Sequence, residues 1–311
     1  MKYRVLGKTG MRVSVIGFGA SPLGGVFRNV TEEECVRAVR TALDSGINYF
    51  DCSPYYGLTK AETMLGKCLA GVPRDKYYLA TKAGRYGDSS SLFDFSARRV
   101  TASLDESLNR LRVGHVDLLQ CHDVEFGDLK QICEETVPAL RKLQKAGKVR
   151  FIGITGLPLK VFPAVIDHAK VDTILSYCHY CLNDTALLGL IPYLKARQVG
   201  IINASPLAMG LLSDRGPPPW HPAPDDIRQA CLKAIAHCKS KGANLSLLAM
   251  QFALANEDIA TTLVGTATET HVKNNLAALE APCDEALAKE VLAILAPIEN
   301  KTWLSGRPEN N

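Results

Sequence analysis

Residues 116–154 read VDLLQCHDVEFGDLKQICEETVPALRKLQKAGKVRFIGI. This stretch opens with a β-rich apolar run at 116–120, continues as an amphipathic helical run over 129–146, and closes with a second β-rich run at 150–154. A strand, a helix and a strand in this order form the unit from which parallel sheets with outer helices are built. The stretch therefore predicts one turn of an α/β fold.

The same alternation extends over the whole chain in both directions. Strand patterns lie at 13–17, 48–50, 77–80, 116–120, 150–154, 173–177, 200–203 and 261–264. Helical patterns follow at 31–45, 60–70, 96–112, 129–146, 158–169 and 185–197, in a long stretch broken near Gly242, and again near the C-terminus. Eight units predict an α/β fold of the (β/α)8 TIM-barrel type, with residues 1–311 as a single domain. An open doubly wound sheet is the alternative.

Two segments lie outside the eight units. Residues 1–12 have the pattern of a short hairpin that turns at Gly7 and Lys8, and extra helices are expected near the C-terminus. Residues 216–222, GPPPWHP, contain three consecutive prolines and are expected to form a loop, because proline fits neither a helix interior nor a central strand.

Composition excludes several classes of partner. The 311 residues carry a formal net charge of only +4, without an arginine-rich run, so nucleic acid is not expected as a ligand. Apolar runs stay below the roughly 18 residues that a membrane span needs. The N-terminus lacks the pattern of a secretory signal, and ten unevenly spaced cysteines are typical of reduced thiols, so a cytoplasmic location is expected unless a transit segment was removed.

One cysteine pair has the C-x-x-C spacing of some metal and redox sites, namely Cys178 and Cys181. A second such pair is missing from the sequence, and the motif follows a strand pattern instead of opening a helix. We therefore interpret the pair as small buried thiols and expect no metal.

Polar side chains follow three consecutive predicted strands. Asp51 follows the second strand with Tyr56 in the same loop, Lys82 follows the third, and His122 follows the fourth. Because active sites of these barrels lie at the carboxyl ends of the strands, we expect these four side chains to converge.

The four residue types suit proton transfer at a carbon–oxygen bond. A tyrosine has a pKa near 10, and a lysine ammonium beside it is expected to lower that pKa. A carboxylate holds the lysine charged, and a histidine orients the substrate oxygen or relays a proton. Tyr56 is therefore the predicted acid/base. Taken singly, each residue also fits a purely structural role. Asp51 fits a loop cap and Tyr56 a packing residue, while Lys82 fits a solvated loop lysine and His122 a core histidine.

At this point the chain resembles the aldo-keto reductase family over almost its whole length. The matching stretches are 17–19 (GFG), 48–51 (NYFD), 55–57 (YYG), 81–82 (TK), 116–117 (VD) with His122, 147–153 (GKVRFIG) and 205–212 (SPLAMGLL). The resemblance implies a nicotinamide cofactor across the barrel mouth and the roles given above to Asp51, Tyr56, Lys82 and His122.

The resemblance also implies the cofactor contacts. These fall on Gly19, Thr155, Tyr177, Ser205, Leu207, Gly210, Gly265, Thr266, Thr268, His271, Asn274 and Asn275. Family members that bind NADP place a lysine and an arginine around the 2′-phosphate, where this chain has Gly265 and His271 with Glu269 between them. Fewer cations favour NAD over NADP, with Lys273 as a possible compensating charge. Two further departures, at 155–156 and at Tyr177, concern the nicotinamide.

Four unusual stretches resemble the branch of the family that oxidises the anomeric hydroxyl of L-galactose to a lactone with NAD, towards ascorbate: 17–24, 151–159, 176–180 and 216–222. The implied partner is a small-molecule sugar, with Tyr56, His122, Phe93 and Trp303 at the substrate side, in a monomer or weak homodimer. Another aldose or alcohol dehydrogenase, a carbonyl reductase and a non-catalytic cofactor-binding barrel remain alternatives. Oxidation of Cys52 or Cys121, which flank Asp51 and His122, is a further hypothesis.

Overall fold

The computed structural model describes residues 1–26 and 28–311. Its strands are β1 (Tyr3–Val5), β2 (Arg12–Ser14), β3 (Ile16–Gly19), β4 (Tyr49–Asp51), β5 (Tyr78–Ala83), β6 (Val116–Cys121), β7 (Val149–Gly156), β8 (Thr173–Tyr177), β9 (Gly200–Ala204) and β10 (Thr261–Gly265). Hydrogen bonds join eight of them into a closed parallel barrel in the order β10-β3-β4-β5-β6-β7-β8-β9. The closed barrel confirms the predicted (β/α)8 fold and excludes the open sheet.

Helices connect the strands on the outside of the barrel. They are α1 (Glu32–Asp44), α2 (Lys60–Cys68), α3 (Ala97–Leu111), α4 (Leu129–Gln131), α5 (Val137–Lys145), α6 (Val161–Ile166), α7 (Ile191–Ala196), α8 (Asp225–Ser240), α9 (Leu245–Ala255), α10 (Glu269–Glu280) and α11 (Glu285–Leu295). Helix α1 starts at a capping box, in which the Thr31 hydroxyl accepts from the Glu34 N–H and the Glu34 carboxylate accepts from the Thr31 N–H. Within residues 1–26 and 28–311, no helix combines the length and apolar character that crossing a bilayer requires.

The N-terminal hairpin is confirmed, but it is longer than predicted. Strand β1 pairs antiparallel with β2 as far as Ser14, which lies opposite Tyr3, and the turn contains a 3-10 segment at Gly7–Thr9. The predicted first barrel strand, 13–17, was therefore wrong at its start, because its residues belong to two strands. The Ser14 hydroxyl donates to the Ile16 carbonyl at 2.7 Å, across the junction between β2 and β3.

Three predicted helices are interrupted or shortened. The run 129–146 contains a π-helical segment at Ile132–Thr136 just before Pro138. Proline has no N–H to donate and crowds the carbonyl four residues earlier, which accounts for the widened turn there. The runs 158–169 and 185–197 retain only α6 and α7 as α-helix, and α7 is preceded by a 3-10 segment and has a proline in its first turn.

The barrel is filled by side chains and is plugged at its amino end by the hairpin. Leu6, Met11 and Val13 of the hairpin pack with inward-facing barrel residues such as Tyr49 and Leu118 in one buried cluster. This apolar plug leaves the opposite, carboxyl end of the barrel as the side where polar residues gather.

A buried ion pair links α2, β5 and α3 behind the site. Glu62 is fully buried, accepts from the Thr81 hydroxyl at 2.5 Å, and pairs with the Arg110 guanidinium at 2.7 Å. Because Thr81 precedes Lys82, this pair helps to fix the strand that carries the lysine.

Removal of the Glu62 carboxylate is expected to destabilise the protein strongly. Glu62→Ala leaves Arg110 and Thr81 without their acceptor, which costs about 3 kcal/mol of unfolding free energy for a buried pair. Urea unfolding measures it. Glu106→Ala is the matched control, since the side chain of Glu106 is 48% exposed beside Arg99 and Arg110, and it is expected to cost less than about 1 kcal/mol. Equal losses in the two variants would contradict the prediction.

Candidate active site

The four predicted catalytic residues lie together at the carboxyl end of the barrel. Asp51 ends β4, Lys82 lies near the end of β5 in register with Gln120 of β6, and His122 follows β6 directly. Asp51, Lys82 and His122 are each at most 3% exposed, although all three are polar. Because β4, β5 and β6 are neighbours in the barrel, their carboxyl ends bring these side chains to one place.

The Lys82 ammonium is held inside the barrel by two hydrogen-bond acceptors. It pairs with Asp51 and donates to the Cys52 carbonyl at 2.9 Å, while Gln120 donates to the other Asp51 oxygen at 2.8 Å. Burial opposes the charge on Lys82, but Asp51 and then Tyr56 raise its pKa above the ordinary value. Lys82 is therefore a permanent cation at the base of the site.

Tyr56 lies directly beside that cation. The Lys82 nitrogen is 4.7 Å from the centre of the Tyr56 ring. Burial raises the pKa of Tyr56 to about 12, and the positive charge of Lys82 lowers it by less than burial raises it. Lys82 acts in the expected direction, but the expected fall of this pKa below 10 was wrong, because the sequence does not reveal how strongly burial disfavours the phenolate.

His122 is a neutral imidazole in this setting. Burial lowers its pKa to about 3, with Lys82 and Arg85 adding to the effect against the opposing charge of Asp123. The Ser53 hydroxyl lies 3.0 Å from Nδ1 and already accepts from the Tyr55 N–H at 3.1 Å. A hydroxyl hydrogen donated to Nδ1 would leave the ring hydrogen on Nε2, the nitrogen nearer to Asp123. The His122 and Tyr56 rings meet edge-on at 5.7 Å.

An ion pair beside His122 was missed at the sequence level. Asp123 is buried with a left-handed backbone (φ 49°), pairs with Arg85 at 2.5 Å, and accepts from the Thr155 hydroxyl at 2.9 Å. One of its carboxylate oxygens lies 3.7 Å from His122 Nε2. The signal in the sequence was the charged residue directly after His122, but its partners are 38 and 32 residues away.

Glu125 is a second missed residue, buried at the same end of the barrel. Its carboxyl accepts from the Tyr177 hydroxyl at 3.3 Å and from the Leu157 N–H at 3.2 Å. Burial and then the nearby Asp123 charge raise its pKa to about 8. Thr155 and Tyr177, predicted as cofactor contacts, are thus tied to Asp123 and Glu125.

The predicted pyrophosphate loop has an unusual backbone. Ser205, Ala208, Met209 and Gly210 all have positive φ, from 45° to 109°. Within the loop, the N–H groups of Ala208, Gly210 and Leu211 donate to the carbonyls of Ser205, Leu207 and Ala208, so the loop is a tight turn fixed by its own backbone. The residues predicted to hold the pyrophosphate, Ser205, Leu207 and Gly210, thus lie together directly after β9.

The predicted adenosine side lies after β10. The Thr268 hydroxyl caps α10 by accepting from the His271 N–H at 3.1 Å, and Asn275 donates to the Thr266 hydroxyl at 3.2 Å. Gly265 pairs with Gly19 at the ends of β10 and β3. These contacts bring six of the predicted residues together at one edge of the mouth, and Asn274 lies beside Asn275 on α10.

Charged side chains lie around His271, and two of the cations, Lys273 and Arg28, are in ion pairs. Glu269 forms an ion pair with Lys273 at 2.6 Å, and Arg28 pairs with Glu34 at 3.1 Å. Burial lowers the pKa of His271, and Arg215 and Arg28 lower it further. Lys273, the possible compensating cation for a 2′-phosphate, is thus engaged by Glu269.

The predicted substrate aromatics lie on opposite sides of the mouth. Phe93 stacks on Phe126 at 4.6 Å, with the Arg85 guanidinium over both rings. Trp303 meets the His221 ring edge-on at 4.9 Å. Both aromatic side chains are half-buried.

The cysteines near the site are buried thiols. Cys52, Cys121, Cys178 and Cys181 are all less than 5% exposed, and burial raises the pKa of each thiol. Thiolate formation and oxidation are therefore disfavoured at these positions.

Comparison with known proteins gives a consistent picture. Residues 15–296 match the model of the Aldo/keto reductase family. The chain is 54% identical to L-galactose dehydrogenase of Arabidopsis thaliana, over 100% of this chain and 99% of that protein. It is 29% identical to D-threo-aldose 1-dehydrogenase of a Pseudomonas species, over 88% and 92%. The holo form of an aldo-keto reductase from Bacillus halodurans superposes with a TM-score of 0.78 at 26% identity, covering 100% and 99%.

The raised pKa of Glu125 predicts a specific pH dependence of stability. The folded protein keeps a proton to about pH 8 that the unfolded chain releases near 4.5. The contribution of the protonated Glu125 carboxyl to the free energy of unfolding is therefore fully present below pH 4.5 and is lost as pH rises to about 8. Between these values, wild type is expected to lose up to about 1.4 kcal/mol per pH unit relative to Glu125→Gln. Urea unfolding at several pH values measures the difference, and parallel pH curves would contradict the assignment.

Proposed function

Because the chain belongs to the aldo/keto reductase family of oxidoreductases, we propose that it oxidises the anomeric hydroxyl of L-galactose to L-galactono-1,4-lactone with NAD, a reaction of ascorbate biosynthesis. The observation that carries the proposal is the cluster of buried Asp51, Lys82 and His122 with the partly buried Tyr56. This cluster lies in a chain that is 54% identical, end to end, to an L-galactose dehydrogenase. The aldose dehydrogenases that act on other sugars are more distant, at 29% and 31% identity.

Tyr56 is the proposed proton acceptor. Oxidation of the C1 hydroxyl removes a hydride from carbon and a proton from oxygen, and the proton passes to Tyr56 in its phenolate form, which becomes the neutral phenol. Since burial raises the pKa of this phenol to about 12, proton acceptance depends on a nearby positive charge. Lys82 supplies that charge, and Asp51 keeps it in place. In the reverse direction, the same tyrosine donates the proton to a carbonyl oxygen.

His122 and its neighbours are proposed to orient the sugar. The neutral imidazole presents an Nε2–H that donates to the anomeric oxygen without competing with Tyr56 for the proton. Asp123 and Arg85 lie at the next position around the mouth, where a carboxylate and a guanidinium suit several sugar hydroxyls. Phe93 and Trp303 border the same opening and complete the proposed substrate side.

The chain's residues fit a dinucleotide. The loop with Ser205, Leu207 and Gly210 would hold the pyrophosphate, and Thr266, Thr268, His271, Asn274 and Asn275 would hold the adenosine end, beside the N-terminus of α10. Gly265 would lie at the same adenosine end, and Gly19, Thr155 and Tyr177 would border the nicotinamide. When bound, this cofactor supplies the hydride acceptor.

Several features support NAD as the preferred form. Gly265 offers no cation for a 2′-phosphate, and the His271 imidazole is neutral because burial and nearby arginines lower its pKa. Lys273 is paired with Glu269. NADP remains the less favoured cofactor.

We further propose that residues 1–311 act as one domain, as a monomer or weak homodimer, in the cytoplasm. The ten cysteines are free thiols in the structure, nine of them buried or partly buried, and reduced thiols are the ordinary state in that compartment.

The base assignment is tested by Tyr56→Phe with L-galactose and NAD, followed by NADH absorbance at 340 nm. Loss of the phenol oxygen is expected to reduce kcat by about 10²- to 10⁴-fold, with the NADH dissociation constant unchanged. Tyr55→Phe is the matched control, because the Tyr55 hydroxyl donates to Asp88 at the rim, and it is expected to stay within a few-fold of wild type. Turnover of L-fucose, D-arabinose or an aldehyde instead of L-galactose would be consistent with the proposed mechanism but would show that L-galactose is not the substrate. Binding of NADH without turnover of any substrate would favour the non-catalytic barrel.

The cofactor preference is tested by His271→Arg. A guanidinium at the adenosine side is expected to raise kcat/KM with NADP relative to NAD by about tenfold, through a charge-assisted contact with the 2′-phosphate. Lys273→Ala is the control, since Lys273 is already paired with Glu269. The ratio of kcat/KM with NADP to kcat/KM with NAD is expected to stay near the wild-type value in this variant. Equal or better efficiency of the wild-type enzyme with NADP would refute the NAD preference.

A further inference from the structure

The two ring nitrogens of His122 have different neighbours. The Ser53 hydroxyl lies 3.0 Å from Nδ1. On the other side of the ring, the Asp123 oxygen that pairs with Arg85 lies 3.7 Å from Nε2. Because His122 is almost completely buried, bulk water contributes little to the choice between the two nitrogens. These two neighbours therefore decide which nitrogen carries the single hydrogen of the neutral imidazole.

The Ser53 hydroxyl is placed to donate to Nδ1. It accepts from the Tyr55 N–H at 3.1 Å, so one of its lone pairs is already used. Among the residues that the structure describes, His122 Nδ1 is the one acceptor within reach of the hydroxyl hydrogen. Ser53 is fully buried, and a buried hydroxyl hydrogen without an acceptor costs free energy.

The opposite arrangement of the ring hydrogen is penalised at both nitrogens. With the hydrogen on Nδ1, the Ser53 hydroxyl hydrogen would have no acceptor. The bare Nε2 lone pair would face the Asp123 carboxylate, which accepts hydrogen bonds but has no hydrogen to donate. Burial strengthens both penalties, because the local dielectric constant is low. Two independent contacts thus favour a hydrogen on Nε2.

Ser53 also connects His122 with the loop that carries Tyr56. The Ser53 carbonyl accepts from the Tyr56 N–H at 3.2 Å, in addition to the contact of its hydroxyl with the Tyr55 N–H. The rings of Tyr55 and Tyr56 meet the imidazole edge-on, at 5.9 and 5.7 Å. The backbone of this serine holds the tyrosine loop, and its hydroxyl links that loop to the histidine.

We propose that Ser53 is a positioning residue, whose hydroxyl donates to Nδ1 of His122 and so fixes the imidazole as an Nε2–H donor to the anomeric oxygen of the sugar. This inference rests on the proposed function. Ser53 does not touch the reacting atoms. A hydrogen bond accepted at Nδ1 polarises the ring and makes Nε2–H a stronger donor. That donor stabilises the negative charge that develops on the sugar oxygen when its proton passes to the Tyr56 phenolate, and the histidine stays neutral throughout.

The position of the ring hydrogen is measured by NMR in the full-length wild-type enzyme with nitrogen-15 in its histidine rings. Two-bond correlations between the ring nitrogens and the carbon-bound ring hydrogens distinguish a protonated nitrogen from an unprotonated one. His122→Asn identifies the signals of His122 among those of the seven histidines. We expect Nδ1 to be unprotonated, with the shift of a nitrogen that accepts a hydrogen bond. A protonated Nδ1 would overturn the inference without any variant of Ser53.

Ser53→Ala removes the hydroxyl but keeps the carbonyl that holds Tyr56. We expect its Nδ1 signal to move to the shift of a nitrogen without a hydrogen bond. We also expect kcat for the sugar to fall about tenfold, while KM and the NADH dissociation constant change less than about twofold. Ser53→Thr keeps a hydroxyl and is expected to restore the Nδ1 signal and to bring kcat to within about threefold of wild type. Ser107→Ala is the matched control, because Ser107 is equally buried and its hydroxyl also accepts an N–H, from Arg110 at 3.1 Å. It is expected to match wild type.

Three results with these variants would contradict the inference. An unchanged Nδ1 signal in Ser53→Ala would show that the hydroxyl does not donate to the ring. A shifted signal with an unchanged kcat would show that this hydrogen bond does not serve the reaction. A restored signal in Ser53→Thr without recovery of kcat would assign the loss to the tyrosine loop. If Ser53→Thr does not fold, Ser53→Cys replaces it, and its weaker S–H donor is expected to give a smaller recovery of both quantities. Failure of the proposed function would appear separately, as a wild-type enzyme that turns over no sugar while its Nδ1 signal still shows the hydrogen bond.

Discussion

The ion pair between Lys82 and Asp51 is the constraint around which the carboxyl end of the barrel is arranged. Two charges that are almost completely buried cost several kcal/mol each in lost hydration, and their attraction repays this only when the remaining hydrogen-bonding groups are satisfied. Here the Cys52 carbonyl and the Gln120 amide fulfil that condition. The positions of β4, β5 and β6 are therefore linked through one charge network, and Tyr56 takes its place against the cation.

The neighbouring groups complement that fixed charge. A second cation next to Lys82 would be repelled, and burial with the Lys82 and Arg85 charges keeps the His122 imidazole neutral. Asp123 faces Arg85 and not Lys82, so the site contains two separate ion pairs with a neutral histidine between them. This separation leaves Tyr56 as the group whose proton is most directly affected by Lys82. Non-glycine residues with positive φ lie in the same region, at Asp123 and in the loop after β9; such backbone strain is commonly found at functional sites.

Much of this arrangement could be predicted from the sequence, because it follows from strand order. Asp51, Lys82 and His122 follow consecutive strands, and consecutive barrel strands are neighbours, so their convergence needs no long-range information. Asp123 and Glu125 could not be assigned in this way. Glu125 has its partners at Tyr177 and Ser305, 52 and 180 residues away, and sequence spacing does not encode contacts of that range. The join between β2 and β3 was also hidden, since the run 13–17 has the pattern of a single strand but contains residues of both.

The pKa of Tyr56 shows why residue identity was insufficient even where the residues were correct. The sequence indicates a lysine beside a tyrosine, and from that pair alone the phenol is expected to be more acidic than usual. Burial reverses this expectation and raises the pKa, because the enclosed site disfavours the phenolate by more than one cation favours it. With a pKa of about 12, Tyr56 is seldom ionised at neutral pH, so the phenolate that accepts the proton is a minor form that depends on the Lys82 ammonium. When the phenolate accepts the proton, negative charge leaves Tyr56 and develops on the sugar oxygen, and the departure of hydride from C1 removes it as the carbonyl forms, so proton transfer and hydride departure are coupled beside the same ammonium.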